Sequence, residues 1–100
     1  MEQKYYTYIL QCSDNTLYCG YTTNPIEREK THNSGTGAKY TRCRLPVKMV
    51  YCECSDTKSE ALKRECAIKK LSRDKKLELI QGESNIIDTI NNNLPLNFIK

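Results

Sequence analysis

Residues 5–10, Tyr-Tyr-Thr-Tyr-Ile-Leu, are rich in strand formers, and the polar trio Ser13-Asp14-Asn15 breaks them off. Strand formers resume over residues 16–22, so the first unit reads as a β-hairpin. Asn24-Pro25-Ile26-Glu27 then supplies an N-cap, a proline at the first helical position and a glutamate at the third. This start predicts a helix to about Asn33, stopping before Gly35. Residues 34–46 read as a basic, glycine-containing loop. Residues 47–53 alternate as a third strand, with Val47, Met49 and Tyr51 expected on one face. Thr57 and Glu60 form a capping box that opens a helix through about Leu71. Ser72 can cap another helix, with Leu77 and Ile80 turned inward and Gly82 as its stop. Residues 85–100 contain Asn91-Asn92-Asn93 and Pro95, which predicts a short helix at best and then a frayed tail. The order is β-β-α-β-α-α, an α/β chain of the α+β kind: a small sheet with helices packed on it. We expect one domain over residues 1–82 and an appended short helix or tail over 83–100.

Length and composition fit that picture. One hundred residues hold one core, and the single Phe is partly offset by seven Tyr among the 38% hydrophobic residues. No apolar run reaches the length of a membrane span and no signal-peptide pattern opens the chain, so a soluble, cytoplasmic monomer is expected. The six cysteines, Cys12, Cys19, Cys43, Cys52, Cys54 and Cys66, include no C-x-x-C pair, and His32 is the one histidine. A zinc or redox protein therefore fails on spacing, leaving free thiols that behave as small hydrophobes.

Charge changes the picture more. Fourteen of the sixteen basic residues but six of the twelve acidic ones lie between Arg28 and Lys76, a local net charge of +8. A basic middle between neutral-to-acidic ends suits an anionic partner, or simply a solvated face.

Three features carry candidate chemistry. Arg28 and His32 are four residues apart on the first helix and share a face, which is equally the description of a polar surface. Glu65 falls between Ala61 and Leu62 on the helical wheel, near the Ile68 stripe, where an amphipathic helix is apolar. A carboxylate turned inward needs a metal, an arginine or hydrogen bonds, so it marks a structural ion pair or a site. Tyr8 and Tyr18 lie on the two arms of the hairpin, with Gly20 just beyond, where the glycine suits a bulge or a close approach.

Taken in order, Tyr6-Thr7-Tyr8-Ile9-Leu10, Leu17-Tyr18-Cys19-Gly20-Tyr21-Thr22, Arg28 with His32, and Glu65 in Leu62-Lys63-Arg64-Glu65-Cys66 resemble the GIY-YIG nuclease superfamily over about residues 5–80. The segments Gly35-Thr36-Gly37-Ala38-Lys39 and Ile68-Lys69-Lys70-Leu71-Ser72-Arg73 are similar to its small stand-alone bacterial branch. Tyr6 and Thr7 replace the glycine and isoleucine of the first signature, and the second reads Tyr18-Cys19-Gly20. The asparagine that many members carry late in the domain has no position that the pattern matches here, and Asn85 is no more than a candidate for it.

The resemblance implies a three-stranded, mostly antiparallel sheet flanked by helices, and a DNA endonuclease with a place in repair or recombination. It implies Tyr8, Tyr18, Arg28, His32 and Glu65 as the catalytic set, with Glu65 holding Mg²⁺ or Mn²⁺. Arg28 would take a non-bridging phosphate oxygen, and one tyrosine, its pKa lowered by nearby cations, would orient or deprotonate the water. His32 would assist proton transfer or hold a tyrosine hydroxyl. Lys30, Lys39, Arg42, Arg44 and Lys69 would line the DNA. Both tyrosines must then reach one site, which requires a three-residue Ser13-Asp14-Asn15 loop or a bulge, because a two-residue turn sends them to opposite faces. The rival is a nucleic-acid-binding module of the same shape that does little or no chemistry.

Overall fold

A computed structural model describes residues 3–91. Strand β1, Tyr5–Gln11, is central in a sheet of order β2-β1-β3, between β2, Leu17–Thr22, and β3, Lys48–Ser55, and both pairings are antiparallel. The hairpin closes with the odd loop: Cys12 N donates to Thr16 O and Asn15 N to Cys12 O, with Asn15 at φ 67°. Asp14 holds the loop by accepting from both the backbone N and the hydroxyl of Thr16. Tyr8 therefore opposes Gly20 and Tyr18 opposes Leu10, so the two tyrosines share a face.

β3 departs from simple alternation. Ile9 pairs with Tyr51 but Leu10 with Met49, so Val50 is an extra residue, a β-bulge. The bulge inverts the alternation: Val47 and Met49 join Tyr8, Leu10, Cys12 and Cys52 in one cluster, while Tyr51 joins Ile9, Cys19 and Ile68 on the opposite face. The expected common face of Val47, Met49 and Tyr51 is thus corrected.

Helix α1, Pro25–Asn33, begins as its sequence dictates, with Asn24 accepting from Glu27 N. Residues 34–46 are more than a loop, because one helical turn, α2, spans Lys39–Arg42. Helix α3, Lys58–Lys69, starts on the Thr57–Glu60 box and lies on the Ile9 face, where Thr7 donates to Ala61 O at 2.8 Å. Helix α4, Arg73–Gln81, is capped by Ser72; Leu79 and Ile80 pack inward, whereas Leu77, expected inside, is exposed. Helix α5, Ile87–Asn91, is the short last helix among the described residues; Ile87 and Ile90 pack on the Tyr8 face. The tail expected after it, residues 92–100, lies outside the described residues.

Asn85 has a structural task. Its side chain accepts from Cys52 N and donates to Val50 O and Ile80 O, while Ile86 N donates to Cys52 O. These bonds cover the outer edge of β3, which would otherwise present unpaired backbone groups. Among the described residues no helix is long and apolar enough to cross a membrane.

Candidate functional site

The site is built where α1 meets the Tyr8 face. Two side chains of α1 grip β3 and the residue before it: Asn33 accepts from Val47 N and donates to Val47 O, and Glu29 accepts from Met49 N at 2.6 Å. This clamp fixes the helical face that carries Arg28 and His32 against the sheet. Opposite, the Tyr8 ring crosses its cross-strand partner Gly20, where any Cβ would collide with it. Its hydroxyl thereby reaches His32 Nε2 at 2.9 Å and accepts from Arg28 Nε at 3.3 Å. Tyr18 meets the His32 ring edge-on, with centroids 5.6 Å apart, and its other neighbour is Tyr40 of α2, stacked at 5.7 Å and 23°. Four of the five expected catalytic residues are in one cluster.

Burial sets the electrostatics. Tyr8 and His32 are essentially inaccessible. Burial, reinforced by the Arg28 charge, pushes the His32 pKa down to about 4, so the ring is neutral near pH 7. Burial pushes Tyr8 up to about 12 against the opposing pull of its Arg28 hydrogen bond and charge. The expectation that nearby cations lower the tyrosine's pKa is therefore corrected for Tyr8, because desolvation outweighs one guanidinium. The resting pair is a neutral phenol facing a neutral imidazole.

Glu65 approaches differently. It lies on the Ala61–Ile68 stripe of α3, as its position predicts, and is half-buried there. Its backbone carbonyl accepts from the Cys19 thiol, on the strand residue between Tyr18 and Gly20. α3 covers the opposite face of the sheet, however, and the carboxylate pairs with Lys69 at 3.5 Å, not with Arg28 or a tyrosine among the described residues. No group of three or more His, Cys, Asp or Glu residues able to hold a metal occurs among those residues. A cation at Glu65 would have one protein carboxylate, with water and phosphate oxygens completing its shell, a donor set that Mg²⁺ accepts. Glu65, half-buried and paired with Lys69 among the described residues, can offer such a shell one ligand, but it does so from α3 and not from the Tyr8 cluster.

The basic residues divide. Lys30, Lys39 and Arg42 are exposed, and Lys69 is engaged with Glu65. Arg44 is braced: its Nε donates to Asp14 at 3.1 Å, its Nη1 to Tyr40 O, and its guanidinium lies 3.9 Å from the Tyr40 ring centroid. The sequence reading missed Tyr40 and Thr41. Thr41 is buried with its hydroxyl 2.9 Å from His32 Nδ1, and its signal was slight: a small polar residue three positions after Ala38, in a segment read as loop.

Comparison with known proteins agrees with this architecture. The GIY-YIG catalytic domain family matches residues 4–78. The UPF0213 protein SH2523 of Staphylococcus haemolyticus is 55% identical over 78 residues, covering 78% of this chain and 95% of that one. The UPF0213 protein HQ_3675A of Haloquadratum walsbyi is 50% identical over 86 residues, covering 86% and 97%. The solution structure of protein EF2693 from E. faecalis has a TM-score of 0.55 at 48% identity, covering 81% of this chain and 88% of that one. That of the UPF0213 protein BH0048 from Bacillus halodurans has a TM-score of 0.51 at 46% identity, covering 78% and 83%.

Proposed function

The chain belongs to the GIY-YIG family, among its small UPF0213 members, and from that premise we propose that it is a divalent-metal-dependent endonuclease hydrolysing DNA phosphodiester bonds. The observation that carries this reading is the Arg28–Tyr8–His32 contact chain, which couples a phenol to a neutral imidazole and a fixed cation.

Phosphodiester hydrolysis needs a proton acceptor for the attacking water and neutralisation of the charge that grows on the phosphoryl oxygens. Tyr8 starts neutral, so it can take a proton from water only as it gives up its own. The neutral ring of His32, 2.9 Å away, is the receiver. As the water oxygen bonds to phosphorus, the water proton passes to the Tyr8 oxygen and the Tyr8 proton to His32. The bond from phosphorus to the departing oxygen breaks, that oxygen is protonated from solvent, and the imidazolium returns its proton through the Tyr8 hydroxyl to the water that replaces the product there. The proton count closes. Arg28 uses Nε on Tyr8, leaving its terminal nitrogens for a non-bridging phosphate oxygen. Tyr18 packs His32 into place from the side. Glu65 would hold Mg²⁺ or Mn²⁺, which when bound supplies charge neutralisation at the phosphate and leaving oxygen. Exposed Lys30, Lys39 and Arg42 would guide the strand.

The test is a panel of labelled single-stranded, flapped and branched DNA, with RNA beside it, in Mg²⁺ or Mn²⁺. Wild-type protein should cut at least one DNA, and Tyr8→Phe should bind it yet cut it orders of magnitude more slowly. Binding with no cutting of any substrate would instead identify a nucleic-acid-binding module.

A further inference from the structure

The only histidine of the chain sits in a socket made by the segment after α1. A Cβ at Gly37 would lie 2.5 Å from His32 Nδ1 and 2.9 Å from its Cα, so the Gly37 backbone runs against the ring where no side chain fits. Two residues on, α2 begins and turns Thr41 back toward the imidazole. His32 then has one close polar neighbour at each ring nitrogen: Tyr8 hydroxyl at Nε2 and Thr41 hydroxyl at Nδ1, each at 2.9 Å. The ring is fully buried, so no solvent competes for either nitrogen.

Which nitrogen carries the proton follows from counting hydrogens. The Thr41 Oγ1 lies 2.9 Å from the Ala38 carbonyl oxygen, which can only accept. A hydroxyl has one proton, and if Thr41 spends it on Ala38, Nδ1 must be the donor to Thr41. Nε2 then carries the lone pair and accepts from Tyr8, while the Tyr8 oxygen accepts from Arg28 Nε. In this direction every short contact is a hydrogen bond. In the reverse direction the Thr41 and Ala38 oxygens would face each other at 2.9 Å with no proton between them, in a buried site.

We propose that Thr41 is a positioning residue that holds His32 as the Nδ1–H tautomer, with the Nε2 lone pair aimed at Tyr8. The role of Thr41 in turnover rests on the nuclease reading, but the tautomer does not. The helical turn α2 therefore serves the site through His32, from the side of the ring away from Tyr8. The same turn presents Tyr40 to Tyr18, the ring that meets His32 edge-on, so one short element supports His32 both directly and through Tyr18.

Long-range ¹H–¹⁵N correlation spectra of ¹⁵N-labelled protein read the tautomer directly, and one histidine gives one unambiguous pattern. Wild type at pH 7 should show a protonated Nδ1 and an unprotonated Nε2. Thr41→Val, nearly the same shape without the hydroxyl, should lose that preference, and Thr41→Ser should keep it. Where cleavage is measured, Thr41→Val should lower kcat by roughly tenfold or more with KM little changed, and Thr41→Ser should restore it. Nε2–H in wild type, or an unchanged Nδ1–H tautomer in folded Thr41→Val, would overturn the proposal. A wild type that shows the Nδ1–H tautomer yet cleaves nothing supports the assignment of Thr41 and removes only the nuclease reading.

Discussion

The Tyr8 ring occupies the space that a side chain at Gly20, its cross-strand partner, would need. This one relationship lets a residue of the central strand send its hydroxyl across the sheet to α1. Gly20 is also at ordinary strand geometry, so the requirement is for room and not for backbone freedom. Gly20→Ala should therefore push the ring aside, costing about 1–3 kcal/mol as overpacking does. Cleavage should fall further than that loss explains, because the phenol leaves His32 and Arg28. Urea unfolding together with cleavage under conditions where the variant is fully folded separates the two effects. A variant that cuts normally when folded would mean that the Tyr8 position is not needed.

How far the site was legible depended on how local each signal was. Counting residues between the strands left a two-residue turn and a three-residue loop both open, and the odd loop was expected because one site had to hold both Tyr8 and Tyr18; the observed register has that loop. The caps at Asn24, Thr57 and Ser72 are local signals, and all three bond as their spacing dictates. The inversion at Val50 was not legible, since a bulge is set by what packs on each face. Thr41 was hidden for a similar reason: a single helical turn has too little period to read, and its function lies in reaching a ring nine residues away. The raised pKa of Tyr8 reverses an expectation built on charge alone, because burial cannot be seen from spacing.

Glu65 separates a structural from a chemical role. If it only fills a half-buried place on α3 beside Lys69, Glu65→Gln should leave stability unchanged or raise it, and activity should track the folded fraction. If it holds the cation, the isosteric change removes the charge that a hard cation needs. Cleavage should then drop by orders of magnitude, with the melting temperature in EDTA similar or higher and DNA binding largely kept. Any stabilisation of wild type by Mg²⁺ should vanish in the variant. Cleavage by Glu65→Gln near the wild-type rate would remove Glu65 from the mechanism.

His32 should give stability a characteristic pH dependence. Its pKa is about 4 when folded against an ordinary value of 6.5, so the folded state favours the neutral ring. The unfolded chain binds the proton first, and stability is lost as pH falls from about 6.5 toward 4, by as much as about 3 kcal/mol. The Asp14 carboxylate, whose pKa is held low chiefly by Thr16, acts mainly below this window. Urea midpoints between pH 7 and pH 4.5 should fall steeply for wild type and more gently for His32→Gln. Parallel slopes would show that the buried imidazole does not govern this range.

The exposed and the braced cations should behave oppositely. Lys39 and Arg42 project from α2 into solvent, so Lys39→Glu and Arg42→Glu should leave the melting temperature unchanged while weakening DNA binding. If each meets a phosphate, its loss should also flatten the dependence of log K on log salt by about one unit. Arg44 is held by Asp14 on one side and by the Tyr40 ring on the other. Each interaction is worth only about 0.5–1 kcal/mol at a partly exposed site. Arg44→Glu, however, forfeits both and sets a carboxylate against Asp14, in the loop that fixes the register of Tyr8 and Tyr18. It should therefore lower the melting temperature as well as DNA affinity, and Asp14→Asn should recover part of the stability but little of the binding. Equal, purely electrostatic losses across all three positions would show that Arg44 faces the DNA and that its contacts with Asp14 and Tyr40 are incidental.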